Sequence, residues 1–172
     1  MEAKDIIELE KSLSDITGRN CWIEYTRYDG NMRLDEAKVG EQCDGLVREN
    51  LHVFPNHYHN DYFIAVRADK HVLGYNLVAS MRLYQMPGCC GVAVSSASLV
   101  TSTYRRKGIN TILNKFRIDL AKHMRYTVLM CTDITSNIGC KKTLTKNGWN
   151  DIHQFRNQRT NNTVDVSLIN LV

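Results

Sequence analysis

The sequence predicts a mixed α/β fold, a largely antiparallel sheet flanked by helices, and three observations carry that expectation. Asp61 to Ala68 and His71 to Tyr84 are rich in β-branched and aromatic residues and flank the polar turn Ala68-Asp69-Lys70, as the arms of a hairpin do. After the strand-like run Gly91 to Thr101 the apolar period lengthens, and Ile109, Ile112, Leu113, Phe116 and Leu120 fall on one helical face. Tyr126 to Cys131 then returns to a short apolar run, which completes a strand-helix-strand unit.

The other elements follow the same two periods. Ala3 to Leu13 sets Ile6, Leu9 and Leu13 on one stripe, predicting a helix that ends near residue 14, and Cys21 to Tyr28 alternates as a strand does. Val39, Cys43, Leu46 and Val47 keep the helical period within Leu34 to Leu51, and the His/Asn-rich segment Pro55 to Asn60 breaks it. Thr135 or Ser136 can cap a helix running through Asn147, with Gly148 as its stop. Two strands, Asp151 to Arg156 and Thr163 to Asn170, close the chain. With 172 residues and 43% hydrophobic content, one core can be filled, so residues 1–172 are expected to form a single domain.

Composition narrows the function classes. No run of 18 apolar residues and no charged-then-apolar leader is present, so a cytoplasmic protein without a membrane partner is expected. The net charge of +4 is spread along the chain and favours an ordinary solvated surface over nucleic-acid binding. Six cysteines show neither the dense spacing of a disulfide scaffold nor a C-x-x-C half-site. Reduced thiols are expected, Cys89-Cys90 included, although adjacent thiols can also form a strained disulfide. His57 and His59 lack a third ligand, so no metal is expected.

The positive charge is most telling between Gly91–Thr101 and the helix starting near Ile109. Arg105, Arg106 and Lys107 sit at a helix N-terminus, where the dipole disfavours each cation by roughly 0.3 to 1 kcal/mol. An anion among them resolves the conflict. Free N–H groups, a permissive Gly108 and forked arginine donors would suit a pyrophosphate, while a solvated basic turn is the alternative that this segment alone leaves open.

The segment Arg105-Arg106-Lys107-Gly108-Ile109-Asn110 resembles the acyl-CoA pyrophosphate loop of the GNAT superfamily, Gln/Arg-x-x-Gly-x-Gly/Ala, with Asn110 departing at the last place. Asn137 to Trp149 resembles the family's second signature, an asparagine, a small residue three later (Cys140) and a closing Gly148-Trp149 pair. His71-Val72-Leu73-Gly74 looks like its second-to-third strand hairpin, and the resemblance spans about Cys21 to Val172. It implies a central β-splay between Gly91–Thr101 and Tyr126–Asp133, holding the pantetheine arm of acetyl-CoA. Leu99 and Val100 would pair with that arm; Arg105, Arg106, Lys107, Gly108, Ile109, Asn110 and Asn137 would complete the cofactor site.

For the chemistry, the family implies direct attack of an amine on the acyl thioester, aided by a base and sometimes by a tyrosine acid. The tyrosine's place is Leu144, and the usual glutamate places fall at Ser96 and Thr132. Asp133, one residue on, is the substitute base to be expected, with a helix-preceding cap as its alternative role. Tyr84 and Tyr104 are expected to pack, and Cys131 to be a buried thiol, since no Cys-His-Asp order accompanies it. Three readings follow: an acetyl-CoA-dependent N-acetyltransferase acting on a small-molecule or protein amine, a degenerate acyl-CoA-binding module, and a nucleic-acid binder using Arg105 to Lys107.

Overall fold

In a computed structural model describing residues 3–28, 61–69 and 75–172, the chain opens with helix α1 (Ala3–Thr17). It runs past the expected end because Ile16 continues the apolar stripe begun by Ile6, Leu9 and the fully buried Leu13. Gly18, at φ 68°, ends it by donating its N–H to Ser14 O at 2.9 Å. The helix is then stitched to strand β1 (Cys21–Tyr28): Cys21 N donates to Ser14 Oγ and Ile23 N to Glu10 Oε1.

Strands β2 (Asp61–Asp69), β3 (Tyr75–Gln85) and β4 (Val92–Val100) follow, then a single 3-10 turn (Ser102–Tyr104) and helix α2 (Ile109–His123). Strand β5 (Val128–Ile134), helix α3 (Ile138–Lys146) and strands β6 (Asn150–Arg156) and β7 (Thr163–Asn170) complete the chain. Among the described residues the strands form one seven-stranded sheet in the order β1-β2-β3-β4-β5-β7-β6. All neighbours are antiparallel except β4 and β5. The largely antiparallel α/β expectation therefore holds.

Several boundaries move for identifiable reasons. Tyr126 does not begin β5: its N–H closes the end of α2 on Ala121 O, after Arg125 takes a left-handed φ of 62°. The cap of α3 is neither Thr135 nor Ser136. Asn137 Oδ1 accepts from Cys140 N, while Thr135 Oγ1 turns instead to Asp165 Oδ1. The helix expected over Leu34 to Leu51, the Pro55 to Asn60 segment with His57 and His59, and His71 to Gly74 lie outside the described residues.

The parallel pair gives the sheet its opening. Val92 to Ser95 pair with Val128 to Cys131, and there the ladder stops. Beyond that rung β4 stays with β3 as far as Val100, while β5 stays with β7 as far as Ile134. The strands diverge because each keeps a different neighbour. At the closed end the backbones nearly touch: a Cβ on Gly91 would stand 2.9 Å from Thr127 Oγ1, which itself donates to Gly91 O. Leu113, Phe116, Leu120 and Ala121 of α2 pack with Leu13, Ile64, Val78 and Met81 in the core.

Candidate functional site

The divergence of β4 and β5 opens a cleft of about 980 Å³. Leu99, Val100, Arg105, Arg106, Gly108, Ile109, Asn110, Asn137 and Asp133 all line it. Residues far apart in sequence are thus gathered into one groove. Lys107 is the exception, folding its ammonium over the Tyr104 ring at 5.9 Å from the centroid.

At one end stands the loop after β4. Arg106 has a φ of 63° and Gly108 one of 83°, and Gly108 serves as the N-cap of α2 without any side chain to cap it. The carbonyl of Gly108 accepts from Thr111 N and Ile112 N. The N–H groups of Gly108, Ile109 and Asn110 meet no acceptor among the described residues. A row of free donors at a positive helix end is a nest for an anion. Arg105 Nε donates to Val100 O at 3.0 Å, so this guanidinium also ties the loop to the strand that precedes it. Asn110 Oδ1 accepts from Ser98 Oγ at 3.2 Å, pinning the first turn of α2 to β4.

The other end lies where β5 meets α3. Asn137 uses its amide on both sides, Oδ1 as the cap of α3 and Nδ2 as a donor to Asp133 Oδ1 at 3.2 Å. Asp133 Oδ2 is buried and has no hydrogen-bond partner among the described residues; the same holds for Ser96 Oγ. By strand alternation Asp133 shares a face with Cys131, on the α2 side, whereas Ser96 points to the opposite face from Ser95. Leu144, at 3% exposure, lines the cleft with hydrocarbon.

The thiols here are held in their protonated form. Burial first, then the adjacent Asp133 carboxylate through a hydrogen bond and its field, pushes Cys140 up to about 12; burial also pushes Cys131 up to about 12. Cys21, Cys89, Cys90, Cys131 and Cys140 are all free. Tyr84 and Tyr104 are buried, in keeping with packing roles. Among the described residues no group of three His, Cys, Asp or Glu side chains could hold a metal, and no helix is long and apolar enough to cross a membrane.

Sequence reasoning passed over Arg117. It is 3% exposed beneath the last β4–β5 rung, donating from Nη1 to Ser95 Oγ and from Nε to Asn114 Oδ1. The signal was available, since Asn114 and Arg117 fall beside Leu113, Phe116 and Leu120 on the buried stripe, where polar side chains are out of place.

No protein-family model and no curated protein matches the chain. Solved structures do. A GNAT family acetyltransferase from Elizabethkingia anophelis with acetyl-CoA bound aligns over 87% of this chain and 98% of its own, at TM-score 0.59 and 13% identity. A Salmonella typhimurium protein with its cofactor acetyl-CoA aligns over 87% and 94%, at TM-score 0.61 and 11% identity. An N-acetyltransferase from Staphylococcus aureus aligns over 87% and 97%, at 0.59 and 16%. This chain has the fold of the GNAT acetyltransferases.

Proposed function

We propose that the protein is an N-acyltransferase that moves a short acyl group from acyl-CoA to a primary amine. The observation that carries the reading is the loop at Gly108, a left-handed turn with free N–H donors at the mouth of a sheet opening. The pyrophosphate would sit on Gly108, Ile109 and Asn110 with Arg105 and Arg106 beside it. The pantetheine arm would follow Leu99 and Val100 into the cleft, alongside Asn137 and α3.

In the reaction, the amine nitrogen bonds to the thioester carbonyl carbon, the carbon–sulfur bond breaks, and CoA leaves as a thiolate. Asp133, through Oδ2 or an adjoining water, is the group suited to take the amine proton. The apolar Leu144 supplies no acid, so the thiolate, a good leaving group, departs unaided and positioning contributes most of the acceleration. That same leucine, with Ser96 and Thr132 where carboxylates would serve, favours a second reading, an acyl-CoA-binding module without turnover.

Calorimetry with acetyl-CoA, followed by detection of free CoA thiol over a broad amine panel, tests both. Binding with thiol release supports the enzyme. Binding without release to any amine supports the module, and absence of binding removes the cofactor assignment altogether.

A further inference from the structure

Around Arg117 the hydrogen-bond donors outnumber the acceptors. Arg117 Nη1 donates to Ser95 Oγ at 2.8 Å and Nε to Asn114 Oδ1 at 3.2 Å. Trp149 Nε1 donates to that same Asn114 oxygen at 3.0 Å, with the indole ring 5.4 Å from the guanidinium carbon. Asn114 Nδ2, fully buried, is left with no acceptor. The guanidinium pairs with no carboxylate among the described residues.

Its surroundings do not balance its charge. The nearby Cys131 and Cys140 thiols, both pushed to about 12, hold their protons at neutral pH. The Asp133 carboxylate acts on Arg117 only through its field, one of its oxygens being held by Asn137. A buried guanidinium with neutral partners is costly to keep, and the cation–π contact with Trp149 offsets only part of that cost. What the group lacks is an anionic acceptor, and the cleft is where Arg117 faces solvent space.

Position selects the anion. Arg117 lies eight residues along α2 from Ile109, roughly 12 Å at the helical rise, and beneath the rung where the β4–β5 ladder ends. A ligand whose diphosphate rests on Gly108 and whose arm follows the cleft brings its thioester end toward that rung. We infer that the floor of the cleft is a carboxylate subsite, and that the acyl donor is the CoA thioester of a short dicarboxylic acid whose free carboxylate pairs with Arg117. This rests on the acyl-CoA reading above. In the transfer the amine nitrogen bonds to the thioester carbon, the carbon–sulfur pair leaves on CoA, the amine's proton goes to Asp133 or water, and the distal carboxylate passes unchanged into the amide.

The test is calorimetric titration of the full chain with malonyl- and succinyl-CoA against propionyl- and butyryl-CoA, matched in length and lacking the charge. A dicarboxylic thioester should bind roughly ten- to a hundredfold more tightly than its uncharged counterpart, the effect of one charge-assisted pair. Arg117→Gln should erase that difference and leave butyryl-CoA affinity unchanged. Equal affinity for charged and uncharged thioesters in the unmodified chain overturns the inference, and this comparison stands even if the variant does not fold. Equal weakening of both classes by Arg117→Gln also overturns it, by making the guanidinium purely structural. If no CoA thioester binds at all, the cofactor reading fails and takes this one with it.

Discussion

The two ends of the cleft are built from different materials. At the loop end the recognition groups are backbone: free N–H groups of Gly108, Ile109 and Asn110, held by left-handed geometry at Arg106 and Gly108. At the β5–α3 end they are side chains, Asp133 with one open oxygen, Asn137 committed to a cap, and Leu144 with no proton to give. A backbone nest tolerates sequence change as long as its turns survive; a proton relay does not. Cofactor capture and turnover can therefore be altered independently in this molecule, and variants at either end should tell them apart.

The largest effect is expected at the loop. Gly108→Glu sets a carboxylate against the diphosphate and forces an ordinary residue into φ 83°, so CoA affinity should fall about a thousandfold while the chain still folds. Calorimetry with acetyl-CoA and far-ultraviolet circular dichroism would check both statements, and retained affinity would break the loop's part in the comparison. At the other end, Asp133→Asn should slow single-turnover acyl transfer roughly ten- to a thousandfold with CoA affinity unchanged. An unchanged rate would remove Asp133 from the chemistry.

Leu144→Ala sharpens the contrast further, since a buried leucine on the cleft wall should matter to stability before it matters to rate. Loss of about 2 to 5 kcal/mol in urea unfolding is expected, with a smaller proportional effect on transfer by the folded fraction. Smallest is a variant outside both ends. Lys141 bridges Asp151 and Asp165, each at 3.0 Å, and their carboxyls lie below the ordinary 3.8: Asp151 through Ser167 and then Lys141, Asp165 through Gln154 and then Lys141. Stability from lowered carboxyls is complete above the unfolded value and is lost as pH falls through the folded ones. Lys141→Met should flatten that acid loss slightly, seen as a weaker pH dependence of the urea midpoint below about pH 4, and leave CoA binding alone.

How much of this was legible in the sequence depended on which interaction decides each feature. The strands and α2 announced themselves through period, and the loop through three cations at the wrong end of a helix, because local spacing governs both. The cap of α3 is not settled by local spacing: Thr135, Ser136 and Asn137 are all competent, and Thr135 is withdrawn by Asp165 on β7, thirty residues away, which claims its hydroxyl. The place of Arg117 on the buried stripe of α2 is legible in the sequence, but its surroundings are not, for the same reason. Asn114 is a neighbour on the same helix, but Ser95 and Trp149 reach the pair only when β4 and the turn after α3 are packed against α2.

The four-rung contact between β4 and β5 also has a mechanical meaning. It makes the sheet two leaves, β1 to β4 on one side and β5, β7 and β6 on the other, bound along a short spine at Val92–Ser95 and Val128–Cys131. The two leaves part at their free edge, beyond the last shared rung. A ligand spanning the gap acts as a clasp across both leaves. Amide exchange should then slow together on facing pages, near Leu99 and near Asp133, when the clasp is in place, although the two segments share no hydrogen bond of their own.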